Sequence, residues 1–468
     1  MPIYIYNSLT RKKEEFIPIN PPQVNIYTCG VTVYDESHIG HARSLYIFDV
    51  IRRYLEYRGY KVNFVRNITD IDDKIINRAQ ELKTNWETLV GKYIGRYYED
   101  LEALGIAKGD YEPRATENIL DMLKHIQGLI DKGCAYVTDN GVYFNVRRFK
   151  DYGKLSGQGI DQMLTGVRKE PDETKEDPLD FALWKISKPD EPSWDSPWGK
   201  GRPGWHIECS TMSMKYLKTQ TLDIHAGGRD LIFPHHENEI AQAEALTGKP
   251  FAKYWIHHGL LTINGQKMAK SLGNFVTIKD FLSKYKNADL LKLFFLSVHY
   301  SHPIDYNEGK IEEAGKQKKS FDEFFDKVNN WRLLEGKVKA HSSAGDKTKI
   351  DNICGNFQKA MDGDFNTPQA LACLFELIDA GSEFFSSDKE DTFNYAKEKL
   401  EIFFNIFGLK VKPKKELPQQ VIKMVLERDI AKRNKDFKKA DSIRQDIEKS
   451  KYAVLDTGNA VSIIEKII

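Results

Sequence analysis

A strand–helix–strand pattern near the N-terminus most constrains the fold of this chain. Residues 24–30 (VNIYTCG) and 61–67 (KVNFVRN) are strand-like, and residues 42–58 between them carry apolar side chains at three- and four-residue spacing, which predicts a helix. Two strands joined by a helix pair in parallel, so the pattern favours an α/β fold with a parallel sheet. Residues 221–263 repeat the pattern and predict a second such unit.

Two histidines, His38 and His41, fall at the first strand-to-helix turn in the sequence His-Ile-Gly-His. Open α/β sheets bind ligands at the carboxyl ends of their strands. A helix N-terminus attracts phosphate oxygens, and imidazole N–H groups can donate to charge that develops on a phosphate. By itself the turn is equally compatible with two histidines that only cap a helix.

A basic loop, QKMAKSLGN at 266–274, follows the second unit and contains Lys267 and Lys270. Such a loop could hold a triphosphate while pyrophosphate leaves, or it could be a solvated surface turn. The chain has neither the G-x-x-x-x-G-K-[ST] pattern of P-loop proteins nor the G-x-G-x-x-G pattern of dinucleotide-binding folds. A nucleotide site would therefore have to be of another kind.

Four residues have the side chains that zinc accepts. His235 and Glu239 are four positions apart, so on a helix they share a face, and Cys29 and Cys209 add two thiols. We expect His236 to point elsewhere. No Cys-x-x-Cys anchors this set, and buried cysteines together with a surface His/Glu pair are the alternative interpretation.

Composition excludes several other classes of protein. The 468 residues are 41% hydrophobic and carry a net charge of +1, which is typical of a globular enzyme without a global basic field. No signal sequence is recognisable at the N-terminus, and the apolar run 290–298 is too short to cross a membrane and contains Lys292. Five cysteines form no disulfide framework and favour a reducing cytoplasm.

Together, His-Ile-Gly-His and Lys-Met-Ala-Lys-Ser at 267–271 resemble the signature motifs of the class I aminoacyl-tRNA synthetases, with Ala269 where that family usually has serine. Four further stretches, namely TCGVTVYD, GWHIEC, DIHAGGRD and FPHHENEIAQ, resemble the cysteinyl-tRNA synthetases within that class, and TDIDDK fits too. The resemblance runs from about residue 3 to about residue 450. It implies a Rossmann-like parallel-sheet catalytic domain with an inserted connective domain, a helical anticodon-binding region and a small C-terminal module.

The expected domains follow the order of these motifs. They are 1–118 for the first half of the catalytic domain, 119–203 for the connective insert, 204–265 for the second half, 266–310 for the signature loop and stem-contact region, 311–409 for the helical anticodon-binding domain and 410–468 for the C-terminal module.

The resemblance also implies roles for individual residues. The catalytic residues would be His38, His41, Lys267 and Lys270. ATP would be bound by Gly40, Gly227, Gly228, Asp230, His258 and Lys270. The pocket for the substrate cysteine would be lined by Thr69, Trp205 and His225. The ligands of one zinc ion per chain would be Cys29, Cys209, His235 and Glu239.

The implied reaction is the ATP-dependent ligation of L-cysteine to tRNA(Cys) through a cysteinyl-adenylate, with Mg²⁺ accompanying ATP. An apolar pocket separates cysteine from serine poorly, whereas zinc binds a thiolate far better than an alcohol. We therefore expect no separate editing domain, and we expect Glu239 to be the loosest ligand. By the same resemblance the enzyme would be a cytoplasmic monomer without membrane association.

The terminal residues 410–468 carry 15 Lys and Arg against 9 Asp and Glu. Residues 428–447 are amphipathic, and we expect Ile430, Phe437, Ala440, Ile443 and Ile447 to share one face. The charged residues could be a solvated helix face, or they could bind the tRNA anticodon region as the resemblance implies.

Three rival functions remain open at this level. An ATP-dependent ligase that joins cysteine to an amino sugar resembles the same catalytic core but has no anticodon-binding end. An inactive RNA-binding relative would not need intact signature motifs. A zinc hydrolase would need an open metal position and a general base, and the H-E-x-x-H signature is absent.

Overall fold

The structure is a computed structural model, which describes residues 1–159, 174–269, 272–331, 344–386, 389–411, 418–456 and 462–466. The chain divides into two compact units. The first comprises Met1–Ala288, Val298–Asn307 and Asp362–Phe365, and the second comprises Asp289–Ser297, Glu308–Met361 and Asn366–Ile468. No helix among the described residues is long and apolar enough to cross a membrane.

A four-stranded parallel sheet forms the centre of the first unit and confirms the predicted α/β class. Its strands, in spatial order, are Ala252–His258, Leu222–Gly228, Gln23–Thr28 and Lys61–Arg66. The two predicted strand–helix–strand units contribute two strands each, and the units meet where Gln23–Thr28 pairs with Leu222–Gly228. The first predicted strand, 24–30, differs from the observed strand mainly at its end, because Cys29 and Gly30 lie beyond Thr28.

The first crossover helix, Ile39–Tyr57, starts three residues earlier than its periodicity predicts, because the histidine turn itself supplies the cap. The expected apolar positions, including Leu45 and Leu55, are buried against the sheet. Gly59, at φ 86°, takes the left-handed conformation that ends the helix, as its position predicts.

The remaining elements of the first unit surround this sheet. The other helices are Asp73–Glu81, Trp86–Leu104, Ile119–Asp131, Trp205–Leu217, Glu237–Thr247 and Ile278–Tyr285. An N-terminal hairpin pairs Tyr4–Asn7 with Lys12–Glu15. A small sheet that follows the second strand–helix–strand pattern has the strand order Gln266–Lys267, Leu261–Ile263 and Ile304–Tyr306.

The segment 171–204, which its Pro, Trp and charge content marks as irregular connecting structure, is in part a regular sheet. Four antiparallel strands run in the order Ala135–Thr138, Gly141–Phe144, Phe181–Ile186 and Gly201–Pro203. The expectation is wrong because Leu183 and Trp184 are fully buried in an apolar cluster under this sheet. Tertiary burial outweighs local composition there. Residues 160–173 lie outside the described part of the chain.

The second unit is mainly helical, as its sequence pattern indicates. Its helices are Glu308–Trp331, Ala344–Asp362, Thr367–Ser386, Glu390–Ile406, Gln419–Arg433 and Phe437–Lys449, and Ala288–Leu296 packs with them. A terminal hairpin pairs Tyr452–Asp456 with Ser462–Lys466. Most of the expected linker 410–420 falls outside the described residues.

The expected single apolar face across 428–447 is wrong. Lys435 takes φ 61° and breaks the segment into two helices, so the two halves no longer share one helical phase. Ile430 and Phe437 are 56% and 60% exposed, whereas Ala440 and Ile447 are buried. One short break therefore moves two of the five predicted apolar positions into solvent.

A buried arginine joins the first crossover helix to the segment that precedes the basic loop. Arg43 is fully buried, and its guanidinium donates to the backbone carbonyl oxygens of Gly259 and Leu260 at 2.6 and 2.9 Å, and of Tyr300 and His302 at 3.2 and 2.6 Å. Burial lowers the pKa of Arg43 to about 10, so the side chain stays charged at neutral pH. The planar guanidinium thus donates to four backbone carbonyls, two of which, Gly259 and Leu260, also contact His258 Nδ1 and the N–H of Ile304.

We predict that Arg43→Met lowers the free energy of unfolding by about 3–5 kcal/mol, because the carbonyls lose a charged donor and methionine supplies none. Urea denaturation followed by circular dichroism measures the change. Arg147→Met is the matched control, since Arg147 is an arginine that is 56% exposed in an ion pair with Asp177, and it should change the value by no more than about 0.5 kcal/mol. Equal effects of the two substitutions would contradict the prediction.

Candidate active site and metal centre

In the histidine turn, two imidazoles stack on each other at the N-terminus of the helix Ile39–Tyr57 and hydrogen-bond to each other's backbone. The rings of His38 and His41 stack at 3.6 Å, and each Nδ1 accepts from the backbone N–H of the other residue, at 3.2 and 3.3 Å. Burial, followed by the neighbouring His38 and Lys74, lowers the pKa of His41 well below its usual value. A neutral ring whose Nδ1 accepts carries its proton on Nε2, so His41 offers an N–H donor to an anion.

The basic loop lies against this turn. A Cβ on Gly40 would be 2.9 Å from the ring of His38 and 3.3 Å from Cε of Met268, so glycine allows the loop to approach closely. Backbone hydrogen bonds join the two segments, from Ile39 N to Val276 O at 3.1 Å and from Ile278 N to Ser37 O at 2.9 Å. Two motifs more than 200 residues apart in the sequence are therefore adjacent in the fold.

Lys267 is an exposed residue at the end of the short strand Gln266–Lys267. The side chain of Asn274 accepts from the backbone N–H of Ala269 at 2.8 Å and donates to the carbonyl of Lys267 at 3.2 Å. Ala269 thus takes part in the loop through its backbone. The second lysine, Lys270, lies outside the described residues.

The four predicted zinc ligands come together in the interior. One donor atom from each of Cys29, Cys209, His235 and Glu239 lies within 4.8 Å of the others. The two sulfurs are 3.8 Å apart, Cys29 Sγ is 3.5 Å from Glu239 Oε1, and His235 Nε2 is 2.9 Å from the same oxygen. Cys209, His235 and Glu239 are buried, and Cys29 is partly buried.

Three separate elements supply these donors. Cys29 follows the strand Gln23–Thr28, Cys209 lies on the helix Trp205–Leu217, and Glu239 lies on Glu237–Thr247, with His235 in the turn before it. The prediction from i, i+4 spacing holds although Phe233 interrupts the helical backbone just ahead of His235. The strand end and the two helices therefore converge at the carboxyl edge of the sheet.

The donor set fits zinc by its chemistry and its spacing. Tetrahedral zinc with Zn–S bonds of about 2.3 Å places two sulfurs ~3.8 Å apart, which matches Cys29 and Cys209. Burial alone would raise the pKa of Glu239, but His225 and His235 outweigh it and hold that pKa well below its usual value. Burial, together with Cys209, raises the pKa of Cys29 far above its usual value. A buried cation would relieve the repulsion that keeps the two thiols from ionising together.

His236, which we expected to point elsewhere, points into the same cluster, and that expectation is wrong. Its Nε2 lies 3.3 Å from Cys29 Sγ, and Cys29, His225, His236 and Glu239 form a second set of donors within 4.8 Å. His236 has helical backbone angles and lies three positions before Glu239, so it is the i, i+3 neighbour of that residue and faces the cluster as His235 does at i, i+4. The expectation considered only the i, i+4 pair. The set with both thiols contains the softer ligands and suits zinc better.

The residues expected to bind ATP meet at the ends of two paired strands. His258 pairs in register with Gly228, and a Cβ on Gly228 would be 2.4 Å from Asp230 Oδ1 and 3.5 Å from His258 Nε2. A side chain on Gly228 would therefore fill the space between Asp230 and His258. Burial lowers the pKa of His258 to about 4, so its ring is neutral at pH 7. Gly227 precedes this group on the same strand.

Comparison with known proteins places the whole chain in one family. Residues 15–316 match the family model of the "tRNA synthetases class I (C) catalytic domain", and residues 356–412 match the DALR domain. A cysteine–tRNA ligase of Thermodesulfovibrio yellowstonii is 51% identical over 467 residues, which cover 95% of this chain and 95% of the relative. A cysteine–tRNA ligase of Aquifex aeolicus is 47% identical over 488 residues, which cover 98% of each chain.

This chain belongs to the cysteine–tRNA ligase family.

Solved structures agree at the level of the fold. A methionyl-tRNA synthetase of Mycobacterium tuberculosis in complex with methionyl-adenylate superposes with a TM-score of 0.63 and 15% sequence identity, which covers 87% of this chain and 91% of that chain. This likeness supports the class I catalytic fold of the ligase.

The three residues expected to line the cysteine pocket of the ligase surround the metal cluster in different ways. Trp205 is exposed and stacks on His235 at 4.0 Å. His225 is fully buried, stacks on Trp255 and lies 2.5 Å from Glu239 Oε2 through Nε2. Thr69 is buried, with 2% of its surface exposed. Trp205 also borders a cleft of about 1080 Å³ that is lined by the inserted sheet and by the segment 71–74.

Sequence reasoning missed several polar residues beside these positions. Thr69 Oγ1 donates to Glu208 Oε2 at 2.9 Å and accepts from Asn67 Nδ2 at 3.2 Å. His206 Nδ1 lies 2.9 Å from His235 Nδ1, the nitrogen that does not face Glu239. His206 and Glu208 occur within the stretch GWHIEC that carries the family resemblance, but their spacing in the sequence gave no reason to assign them roles.

Substitution of Gly30 tests whether the metal cluster depends on the close approach of two strand ends. A Cβ on Gly30 would lie 1.6 Å from the carbonyl oxygen of Asn67, so Gly30→Ala should displace the neighbouring Cys29. We predict a fall in the free energy of unfolding of about 2–4 kcal/mol and a loss of bound zinc, measured by thermal denaturation and atomic emission. Gly91→Ala is the control, because Gly91 is helical with open space around it, and it should stabilise the protein by about 1 kcal/mol. Unchanged zinc content in Gly30→Ala would contradict this prediction.

Proposed function

We propose that this chain ligates L-cysteine to tRNA(Cys) in an ATP-dependent reaction through a cysteinyl-adenylate. One observation carries the proposal. The histidine turn, the loop with Lys267 and the cluster of two thiols, an imidazole and a carboxylate converge on one edge of one sheet. Family membership at 51% identity over nearly the full length supports the same reaction.

The first step joins the carboxylate of cysteine to the α-phosphorus of ATP and releases pyrophosphate. His41, as a neutral N–H donor, and His38 beside it hold the phosphate oxygens as charge develops. Lys267 neutralises the departing pyrophosphate together with Lys270 and with Mg²⁺ bound to ATP. The group of Gly227, Gly228, Asp230 and His258 binds the adenosine side.

The substrate thiol is selected next to the adenylation site. Cys29, Cys209, His235 and Glu239 would hold one zinc ion, which as a soft cation binds a thiolate in preference to an alcohol. Trp205 is placed on the cleft side of His235 to enclose the substrate, and Thr69 contributes a hydroxyl whose proton is directed to Glu208. Discrimination at this step would make a separate editing site unnecessary.

In the second step, a ribose hydroxyl of the terminal adenosine of tRNA attacks the adenylate and releases AMP. We assign the second unit, including the region that matches the DALR domain, to binding of the tRNA, with single-stranded anticodon bases read by stacking and hydrogen bonds. The enzyme acts as a monomer in the cytoplasm, as the family resemblance implies.

ATP–pyrophosphate exchange with purified protein tests the reaction and the metal together. We predict exchange with cysteine that exceeds exchange with serine by ~10⁴-fold, a difference that corresponds to about 5.5 kcal/mol. Removal of zinc with a chelator should abolish the exchange, and added zinc should restore it. Transfer of labelled cysteine to tRNA then separates this function from ligation to an amino sugar. Absence of exchange in the zinc-loaded protein would favour the inactive RNA-binding relative.

A second prediction concerns Lys267. We expect Lys267→Ala to lower kcat of exchange by ~10²–10³-fold with little change in KM for cysteine, because the positive charge acts on the departing pyrophosphate. The matched control is Lys279→Ala, since Lys279 is an exposed lysine on the helix that follows the loop. An equal loss of kcat in both variants would show that the general surface charge, rather than Lys267, is responsible.

A further inference from the structure

Histidines that are not predicted ligands surround the candidate zinc ligands. His206 contacts His235, His225 contacts Glu239, and His236 contacts Cys29. Protein groups that hydrogen-bond to metal ligands fix the orientation of those ligands and tune the metal. The contact of His236 with Cys29 is of this kind.

His236 is held in place from its other side by a chain of hydrogen bonds. Its Nδ1 lies 2.8 Å from Nε2 of His257, and Nδ1 of His257 lies 2.8 Å from Oγ of Ser8. His236 and His257 are buried. A Cβ on Gly227 would be 2.8 Å from the ring of His236, so glycine at that position makes room for the imidazole against the strand.

The chain has a direction because a neutral imidazole donates through one nitrogen and accepts through the other. A cysteine that binds a metal has lost its proton, so Cys29 can only accept. His236 must then donate from Nε2 and accept at Nδ1 from His257, which in turn accepts from the Ser8 hydroxyl. Every nitrogen of both rings has a partner in this arrangement.

We propose that His236 is a positioning residue that orients Cys29 as a zinc ligand by donating a hydrogen bond from Nε2 to its thiolate, with His257 and Ser8 fixing its tautomer. The inference rests on the zinc site of the proposed function. It goes beyond that proposal because it assigns His236 a role outside the ligand set and identifies the N-terminal segment, through Ser8, as part of the support of the metal site.

The hydrogen bond to Cys29 also offsets part of the negative charge of the ligand set. Two thiolates and one carboxylate carry one more negative charge than Zn²⁺ carries positive charge. A donor to Cys29 Sγ, together with His225 at Glu239, withdraws negative charge from the ligands. The centre then keeps more of the Lewis acidity that attraction of a further thiolate requires.

The test compares His236→Leu with His236→Gln. Leucine removes the donor, whereas glutamine places an amide N–H near the position of Nε2. We expect the zinc affinity of His236→Leu to fall 10–100-fold and that of His236→Gln to fall less than 3-fold, measured by competition with a chromophoric chelator. Full-length protein is used, and circular dichroism and thermal denaturation verify folding.

His125→Leu is the matched control. His125 is as buried as His257, at 4% exposure, and makes two hydrogen bonds of its own, but these go to Thr211 and Gln242 rather than to a zinc ligand. We expect this variant to lose thermal stability and to retain zinc with unchanged affinity. Equal loss of zinc in His125→Leu and His236→Leu would reduce the effect to general packing and overturn the proposal.

Two further outcomes are decisive. If His236→Gln loses as much zinc as His236→Leu, His236 is itself a ligand, as the second donor set would require, and the positioning role is wrong. If both folded variants bind zinc like the parent protein, His236 does not support the site. A parent protein that binds no zinc would instead contradict the metal in the proposed function, so the two failures are distinguishable.

His257→Leu tests the extension of the chain toward Ser8. We expect an approximately 3–10-fold loss of zinc affinity, smaller than that of His236→Leu, because His236 can still donate but its ring and tautomer are no longer fixed. An unchanged affinity in folded His257→Leu would restrict the role to His236 and overturn the part assigned to His257 and Ser8.

Discussion

The parallel pairing of Gln23–Thr28 with Leu222–Gly228 is the constraint on which the rest of the site depends. This pairing joins two strand–helix–strand units that are far apart in the sequence, and it aligns Tyr27 with His225. Because both strands are parallel, their carboxyl ends open on the same edge of the sheet. Cys29, the histidine turn and the residues after Gly228 meet there as a result.

Two thiolates and a carboxylate buried together are unfavourable without compensation, because like charges repel strongly where water is excluded. The structure places histidines against this cluster, with His235 and His225 at Glu239 and His236 at Cys29. A bound cation would complete this compensation and make metal binding part of the folding free energy. Selectivity for a thiol and stability of the core would then have one physical origin.

The two signature motifs depend on a different set of interactions. Arg43 joins the helix of the histidine turn to the backbone around Gly259 and His302, and the bonds between Ile39 and Val276 fasten the turn to the end of the basic loop. These contacts are made by backbone groups and one buried cation, so they fix geometry without contacting substrate. The backbone around Lys267 can thus be positioned while the side chain of Lys267 remains exposed to solvent.

By itself the sequence determined the α/β class, the C-terminal end of the first helix and which residue types could bind a metal, because periodicity and ligand chemistry are local properties. It could not distinguish Cys29 and Cys209 as metal ligands from buried cysteines, since their proximity depends on strand pairing across 180 residues. Only the tertiary structure revealed the strand at Phe181–Ile186, the break at Lys435 and the contact of His236 with Cys29. Burial decides the strand, a left-handed residue decides the break, and packing between distant segments decides the contact of His236, and none of these leaves a periodic signal in the sequence.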